Sequence, residues 1–218
     1  MIVIFRNFLR NKMVNLTAQS VKHFVPNTTF YCLTLYKKDY WDDYADQEPL
    51  LPYITQFARP TKYVSSNQVH DHEDSTKTSG YQNGDNAKYF TEGFNYIMEV
   101  FKGVDQKVLI LAEDHFFTTG AVLKELQDNE FDLAIAPWDV DDDANGSVIC
   151  WRPTKVAHLF PLPEGGAPIE ILLKHTLVDK VENVYKIKNR KHADYFGDGK
   201  YTNSSVEIEE ELKKAGIL

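Results

Sequence analysis

Residues Lys107–His115 read KVLILAEDH. Val108–Ala112 is an unbroken apolar run, too short for a helix and bounded by polar residues. Such a run reads as a central strand buried on both faces. Glu113, Asp114 and His115 follow directly at its C-terminal end. Burying charge is costly, so three ionisable groups at the lip of a core strand need partners.

Upstream, Asn86–Phe101 carries Ala87, Phe90, Phe94, Ile97, Met98 and Phe101 at spacings of three and four, a helix that Gly103 ends. Downstream, Thr119–Leu126 reads as a helix capped by Thr118 or Thr119, and Asp132–Pro137 (DLAIAP) as another buried strand. An acidic loop, Asp139–Gly146, leads to a strand at Ser147–Trp151. The tail holds a helix at Glu170–Leu177, a weak strand at Val184–Ile187, a turn at Gly197–Gly199 and an amphipathic helix at Val206–Ala215.

The chain opens with a strand at Ile2–Phe5 and a basic turn, Arg6–Lys12. A helical pattern follows (Val14, Leu16, Val21, Phe24, Val25), with Asn15 as its expected cap and Pro26–Asn27 as its stop. Thr28–Tyr36 is β-branched and aromatic and reads as a second strand. Strand, helix and strand with short joins predict a right-handed βαβ unit in a parallel sheet. Residues 37–83 read as an aromatic-rich insertion, with a short helix within Asp39–Pro52, a third strand at Lys62–Ser66 and a polar loop from Asn67 to Gly84. A loop that long in a compact domain is functional or disordered. The expected fold is α/β, three layers (α/β/α) around a twisted, mostly parallel sheet, with residues 1–218 as one domain.

Composition fits this. The chain has 218 residues, 43% hydrophobic and 26% charged, an ordinary globular balance. Its net charge of -8 argues against a protein that coats nucleic acid. An anionic substrate stays open, because a divalent cation can reverse the sign of a local site. Cys32 and Cys150 lie in strand-like apolar runs and read as buried thiols; one disulfide is the alternative, and no Cys/His spacing marks a structural zinc. The apolar start is too short for a signal segment and no run approaches a membrane span. The expectation is a soluble, cytoplasmic protein.

In open α/β sheets ligands bind beyond the C-terminal strand ends. The oxygen and nitrogen atoms of Glu113, Asp114 and His115 suit Mn²⁺ or Mg²⁺, with phosphate oxygens completing the shell. The competing reading is a solvated turn whose acids face the next helix N-terminus. Two other clusters compete. Asp139–Gly146 contains a literal DxD, but Ala144 and Cys150 stand where a calcium loop needs Gly and Glu. His70–Asp74 has HxH spacing within the long polar loop.

The stretch Asn83–Pro137 resembles the nucleotide-sugar glycosyltransferases of the GT-A fold. In that family a Gly/Asn turn opens a helix, and a buried strand then ends in an acidic DxD motif before another helix and strand. Here these are Gly84-Asp85-Asn86, the helix to Gly103, KVLILA, Glu113-Asp114-His115, Leu123–Leu126 and DLAIAP. The resemblance extends over about residues 1–150 by element order. It implies a Rossmann-like nucleotide-binding half (1–115) and an acceptor-side half (116–218). The motif departs from the family pattern, reading Glu-Asp-His; it is closest to the D-x-H version of some branches.

The resemblance implies a metal-dependent, hexosyltransferase-type enzyme that moves a sugar from a nucleotide-diphosphate donor to a carbohydrate or other hydroxyl acceptor. Glu113 and His115 would hold Mn²⁺ or Mg²⁺, with His192 as a further ligand and Asp114 reaching the cation or the sugar. Gly197 and Lys200 after His192 are similar to a pyrophosphate-contacting stretch of retaining members. For inversion, Glu170 or Glu164 would be the base. Arg6, Asp39 and Lys88 would contact the nucleotide. A nucleotidyltransferase on a related sheet is the first alternative, ranked lower because such enzymes usually open with a glycine-rich loop after strand one and Arg6–Val14 has no glycine. A non-catalytic α/β binding protein is the second.

Overall fold

β1 (Ile2–Asn7), α1 (Asn11–Phe24) and β2 (Thr29–Tyr36) form the opening unit, with the two strands parallel. The computed structural model describes residues 1–7, 10–36, 48–61, 63, 85–137, 144–163, 169–188 and 204–218. Next come β3 (Ile54–Pro60), α2 (Asp85–Phe101), β4 (Val108–Ala112) and α3 (Ala121–Asp128). They are followed by β5 (Leu133–Pro137), β6 (Ala144–Trp151), a short α4 (Pro153–Val156) and α5 (Ile169–Leu173), which runs on as a π-helical turn to Val178. β7 (Val184–Lys186) and α6 (Ser205–Lys214) complete the order, α6 being capped by Ser204, whose hydroxyl accepts the Glu207 N–H.

One seven-stranded sheet runs in the order β3-β2-β1-β4-β6-β5-β7. Among the described strands, only β6 is antiparallel to its neighbours. The expected α/β class with a mostly parallel sheet is what the chain forms. Strand alternation sorts the side chains into two cores. On one face, Val3, Phe5, Cys32, Leu109, Leu111 and Cys150 pack with Val14, Ala18 and Val21 of α1 and Leu123 and Leu126 of α3. On the other, Ile2, Ile4, Leu33, Val108, Ile110, Ile149 and Trp151 pack with Phe94, Ile97 and Met98 of α2 and Leu172 and Leu173 of α5. β4 contributes to both cores and is buried throughout, as a central strand must be. α6 covers α1 through Ile208 and Leu212 against Met13, Leu16 and Phe116. At the base of the sheet, Lys107 Nζ donates to the carbonyls of Leu126 (2.9 Å) and Asn129 (2.6 Å), satisfying the end of α3 with a positive charge.

Three expectations need correction. The third strand is Ile54–Pro60, displaced from the expected Lys62–Ser66; of the latter only Tyr63 is described, and it lies outside any strand. β3 is an edge strand with only Ile54 buried, so its alternation is weak in the sequence. Asn15 does not cap α1. The helix starts at Asn11, and Asn15 is buried inside it. Its Nδ2 donates to Glu48 Oε1 (3.0 Å) and the Pro49 carbonyl (2.9 Å), and its Oδ1 accepts the Leu51 N–H (3.0 Å). Finally, α3 begins at Ala121 behind Gly120, with no side-chain cap from Thr118 or Thr119. Pro153–Leu159 is also helical, without a periodic apolar pattern to mark it in the sequence.

Both cysteines are free and buried, and burial pushes each thiol up to about 12. No helix among the described residues is long and apolar enough to cross a membrane.

Asn15 links α1 to the segment entering β3. Its replacement orphans three polar groups at once. Asn15→Ala is expected to cost about 2–3 kcal/mol, read as a lower urea midpoint at unchanged slope.

Candidate functional site

The chain runs outward from β1 through β2 to β3, then returns through α2 to place β4 on the other side of β1. That reversal opens a crevice at the C-terminal ends of β1 and β4, where such sheets bind ligands. The register sets Arg6 opposite Ala112. Arg6 and Asn7 therefore meet the Glu113–His115 turn there.

Glu113 is fully buried, and neither carboxylate oxygen accepts a hydrogen bond from another of the described residues. Burial, reinforced by the adjacent Asp114 carboxylate, holds its pKa well above the usual range, against the opposing pull of Arg10 and Arg6. Asp114 and His115 are also buried, and Asp114 Oδ1 meets His115 Nδ1 at 2.5 Å. A carboxylate on Nδ1 fixes the tautomer and orientation of the ring.

Arg6 projects to the α2 side, its guanidinium 4.5 Å from the Phe90 ring centroid and 5.0 Å from that of Phe94. These contacts hold a charge that is only 4% exposed. A narrow cleft of about 10 Å³, room for about one water, lies here between Arg6, Asn7, Leu33, Leu35, Tyr89, Phe90 and Gly93. Asn7 Nδ2 donates to Asn11 Oδ1 (2.7 Å), and Asn7 Oδ1 accepts the Arg10 N–H (2.8 Å). Those bonds tie the end of β1 to the start of α1.

The turn after β4 is held from α1. Thr17 Oγ1 donates to the Glu113 carbonyl (2.8 Å), and the Phe117 N–H donates to Ser20 Oγ (3.2 Å). Phe116 and Phe117 are fully buried, in different clusters. Thr17 falls on the stripe of α1 marked by Val14 and Val21, and Ser20 lies one turn beyond Leu16 on the adjoining buried face; neither carries a local sequence signal of its role. A larger groove, about 1080 Å³ of open space, runs between the exit of β3 and α2. Its polar side chains are already engaged: Thr61 donates to Glu92 (2.5 Å), Arg59 to Glu99 (3.4 Å), and Asn95 bonds Leu162.

Of the residues that the sequence singles out, Arg6, Glu113, Asp114 and His115 are all buried at the adjoining C-terminal ends of β1 and β4. Lys88 sits on α2 with its ammonium 5.7 Å from the Tyr63 ring, toward the exit of β3. Glu170 is the second residue of α5, and its side chain lies outside the described residues. Asp39, Glu164, His192, Gly197 and Lys200 also lie outside them, as do His70–Asp74 and Asp139–Asp143. Among the described residues, no three His, Cys, Asp or Glu side chains converge to hold a metal ion. What the turn offers a cation is the bare oxygens of Glu113, which fit a hard divalent ion, beside a histidine ring already oriented by a carboxylate.

No protein-family model matches the sequence, and no curated protein matches it. Among solved structures, the chain is similar to the glycosyltransferase GlyE of Streptococcus pneumoniae TIGR4, at 14% identity and a TM-score of 0.46. The apo form of GlyE gives 13% and 0.48. In both cases 86% of this chain is covered, but only 45% of GlyE. A cytidylyltransferase from Leptospira borgpetersenii serovar Hardjo-bovis is similar over 99% of this chain and 94% of its own, at 11% identity and a TM-score of 0.47.

The raised pKa of Glu113 has a consequence for stability. The folded state favours the protonated form. Its advantage is complete below the unfolded-chain value of about 4.3 and is lost as pH rises through the higher folded value. Glu113→Gln, which cannot ionise, is therefore expected to melt above the wild type at pH 7 and level with it near pH 4. Each 1 kcal/mol relieved raises the midpoint by about 2–4 °C. A variant destabilised equally at both pH values would show that Glu113 has a folded-state partner.

Proposed function

We propose that the protein is a transferase that takes a nucleotide-diphosphate sugar as donor and moves the sugar to a hydroxyl acceptor. One observation carries this reading: a fully buried carboxylate that accepts no hydrogen bond from another of the described residues, at the strand-end crevice beside a buried arginine. Charged side chains are almost never fully buried unless paired. The reading supplies the missing partner, a cation carried in with the donor diphosphate.

Each residue then has a task. Glu113 contributes the oxygens that would hold Mn²⁺ or Mg²⁺. Asp114 holds the His115 ring by Nδ1, so that a ring nitrogen could serve as a second protein ligand. Arg6 keeps a fixed positive charge at the crevice, suited to a phosphate. When bound, the metal would neutralise the charge developing on the diphosphate leaving group. His192 is proposed as a further ligand, Asp39 and Lys88 as donor contacts, and Glu170 or Glu164 as the base that takes the acceptor proton.

The nucleotidyltransferase alternative is less well supported. Only residues 8–10 separate β1 from α1, and there is no glycine between Arg6 and Val14. That join has no room for a glycine-rich phosphate loop.

Calorimetry with UDP, GDP and their sugars, with and without Mn²⁺, tests the proposal. One nucleotide is expected to bind in a Mn²⁺-dependent manner. Glu113→Gln and His115→Ala should weaken that binding by roughly 100-fold, and Asp114→Asn by about 10–100-fold, with circular dichroism unchanged. If no nucleotide binds under any metal condition, the reading fails.

A further inference from the structure

We propose that Thr17 and Ser20 of α1 are positioning residues of this site, pinning both ends of the Glu113–Phe117 turn so that the Glu113 carboxylate stays buried. The inference rests on the reading of Glu113 as the group that meets the donor's cation.

A buried carboxylate that accepts no hydrogen bond from a neighbouring residue is favoured by turning out to water. A turn free to relax would let it do so. The backbone of this turn is not free. Thr17 Oγ1 donates to the carbonyl of Glu113, and Ser20 Oγ accepts the N–H of Phe117. The two anchors fix both ends of the turn to one rigid helix. Between them, the His115 N–H returns to the Ala112 carbonyl (3.3 Å). Phe116 is buried against Met13, Leu16 and α6, while Phe117 enters the core between α1, α3 and the sheet.

The two hydroxyls are spent on this turn and on α1 itself. Thr17 and Ser20 are both fully buried on the apolar face of α1. Threonine and serine are poor helix formers, and apolar residues would pack the same face. Ser20 satisfies its own proton on the Thr17 carbonyl (2.8 Å), leaving its lone pairs for Phe117. Thr17 instead sends its proton across the interface to Glu113. Loss of that donor leaves a buried carbonyl unsatisfied and unties the residue that bears the carboxylate.

Thr17→Val keeps the shape and removes the donor; Thr17→Ser keeps the donor. Two measurements follow: amide hydrogen exchange across 108–117, and Mn²⁺-dependent affinity for UDP and GDP. In Thr17→Val, amides 113–117 are expected to exchange roughly tenfold faster while 108–112 keep their protection. Mn²⁺-dependent affinity should fall by a similar factor, and Thr17→Ser should restore both. Ser20→Ala should move the same two readouts and stands in if Thr17→Val does not fold. Wild-type exchange at 113–117 in these variants overturns the inference, as does unchanged Mn²⁺-dependent affinity. A wild type that binds no nucleotide sinks the proposed function instead, while the exchange measurement still decides whether α1 holds the turn.

Discussion

The burial of Glu113 is the constraint around which this end of the molecule is arranged. A carboxylate placed at the end of the most buried strand, with no hydrogen bond to its oxygens from another of the described residues, is unfavourable in isolation. It persists because the neighbourhood over-determines it. β4 is buried on both faces, so the strand cannot shift. The following turn is tied to α1 by two hydrogen bonds and by two phenylalanines in different clusters. Local unfavourable placements of this kind cluster where a ligand completes the structure.

Topology explains why this occurs at one place in the sheet. Every crossover that returns a parallel strand delivers its C-terminal end to the same edge. In the described sheet the strand order reverses between β1 and β4. There a residue at the end of β1 faces the end of β4 directly, as Arg6 faces Ala112. Alternation then decides which face each residue serves. Arg6 follows Ile2 and Ile4 to the α2 side and lodges against Phe90 and Phe94. Asn7 follows Val3 and Phe5 toward α1 and bonds Asn11. Neighbouring residues thus place a fixed cation on one side of the crevice and a polar brace on the other.

What could be read from the sequence divides along a physical line. Val108–Ala112 was legible because burial on both faces leaves no polar residue in the run, and α2 because its apolar spacing is strictly helical. Glu113–His115 stood out as charge against an apolar background. β3 was illegible because an edge strand buries one residue in seven and carries proline at its end. Asn15 looked like a cap because caps and buried polar anchors draw on the same residues; only the partners, Glu48 to Leu51, distinguish them. Thr17 and Ser20 were hidden for a related reason. Their partners lie 96 and 97 positions away, and no local pattern encodes a bond across that distance.

The overall charge of -8 and the local electrostatics point in different directions, and the local ones govern. Within the crevice, the two arginines closest in effect to Glu113 are Arg10 and Arg6, and both pull its pKa down. They do not win, because desolvation and Asp114 outweigh them. An incoming divalent charge would reverse that balance, since it acts on the carboxylate at contact distance, in a medium that screens poorly. Whatever binds the folded protein alone stabilises it by mass action. A site that is unfavourable when empty and relieved when filled therefore couples stability to its ligand. On the proposed function, the same coupling would favour a cation-bearing ligand over a neutral one, because only the former draws the buried carboxyl into its ionised form.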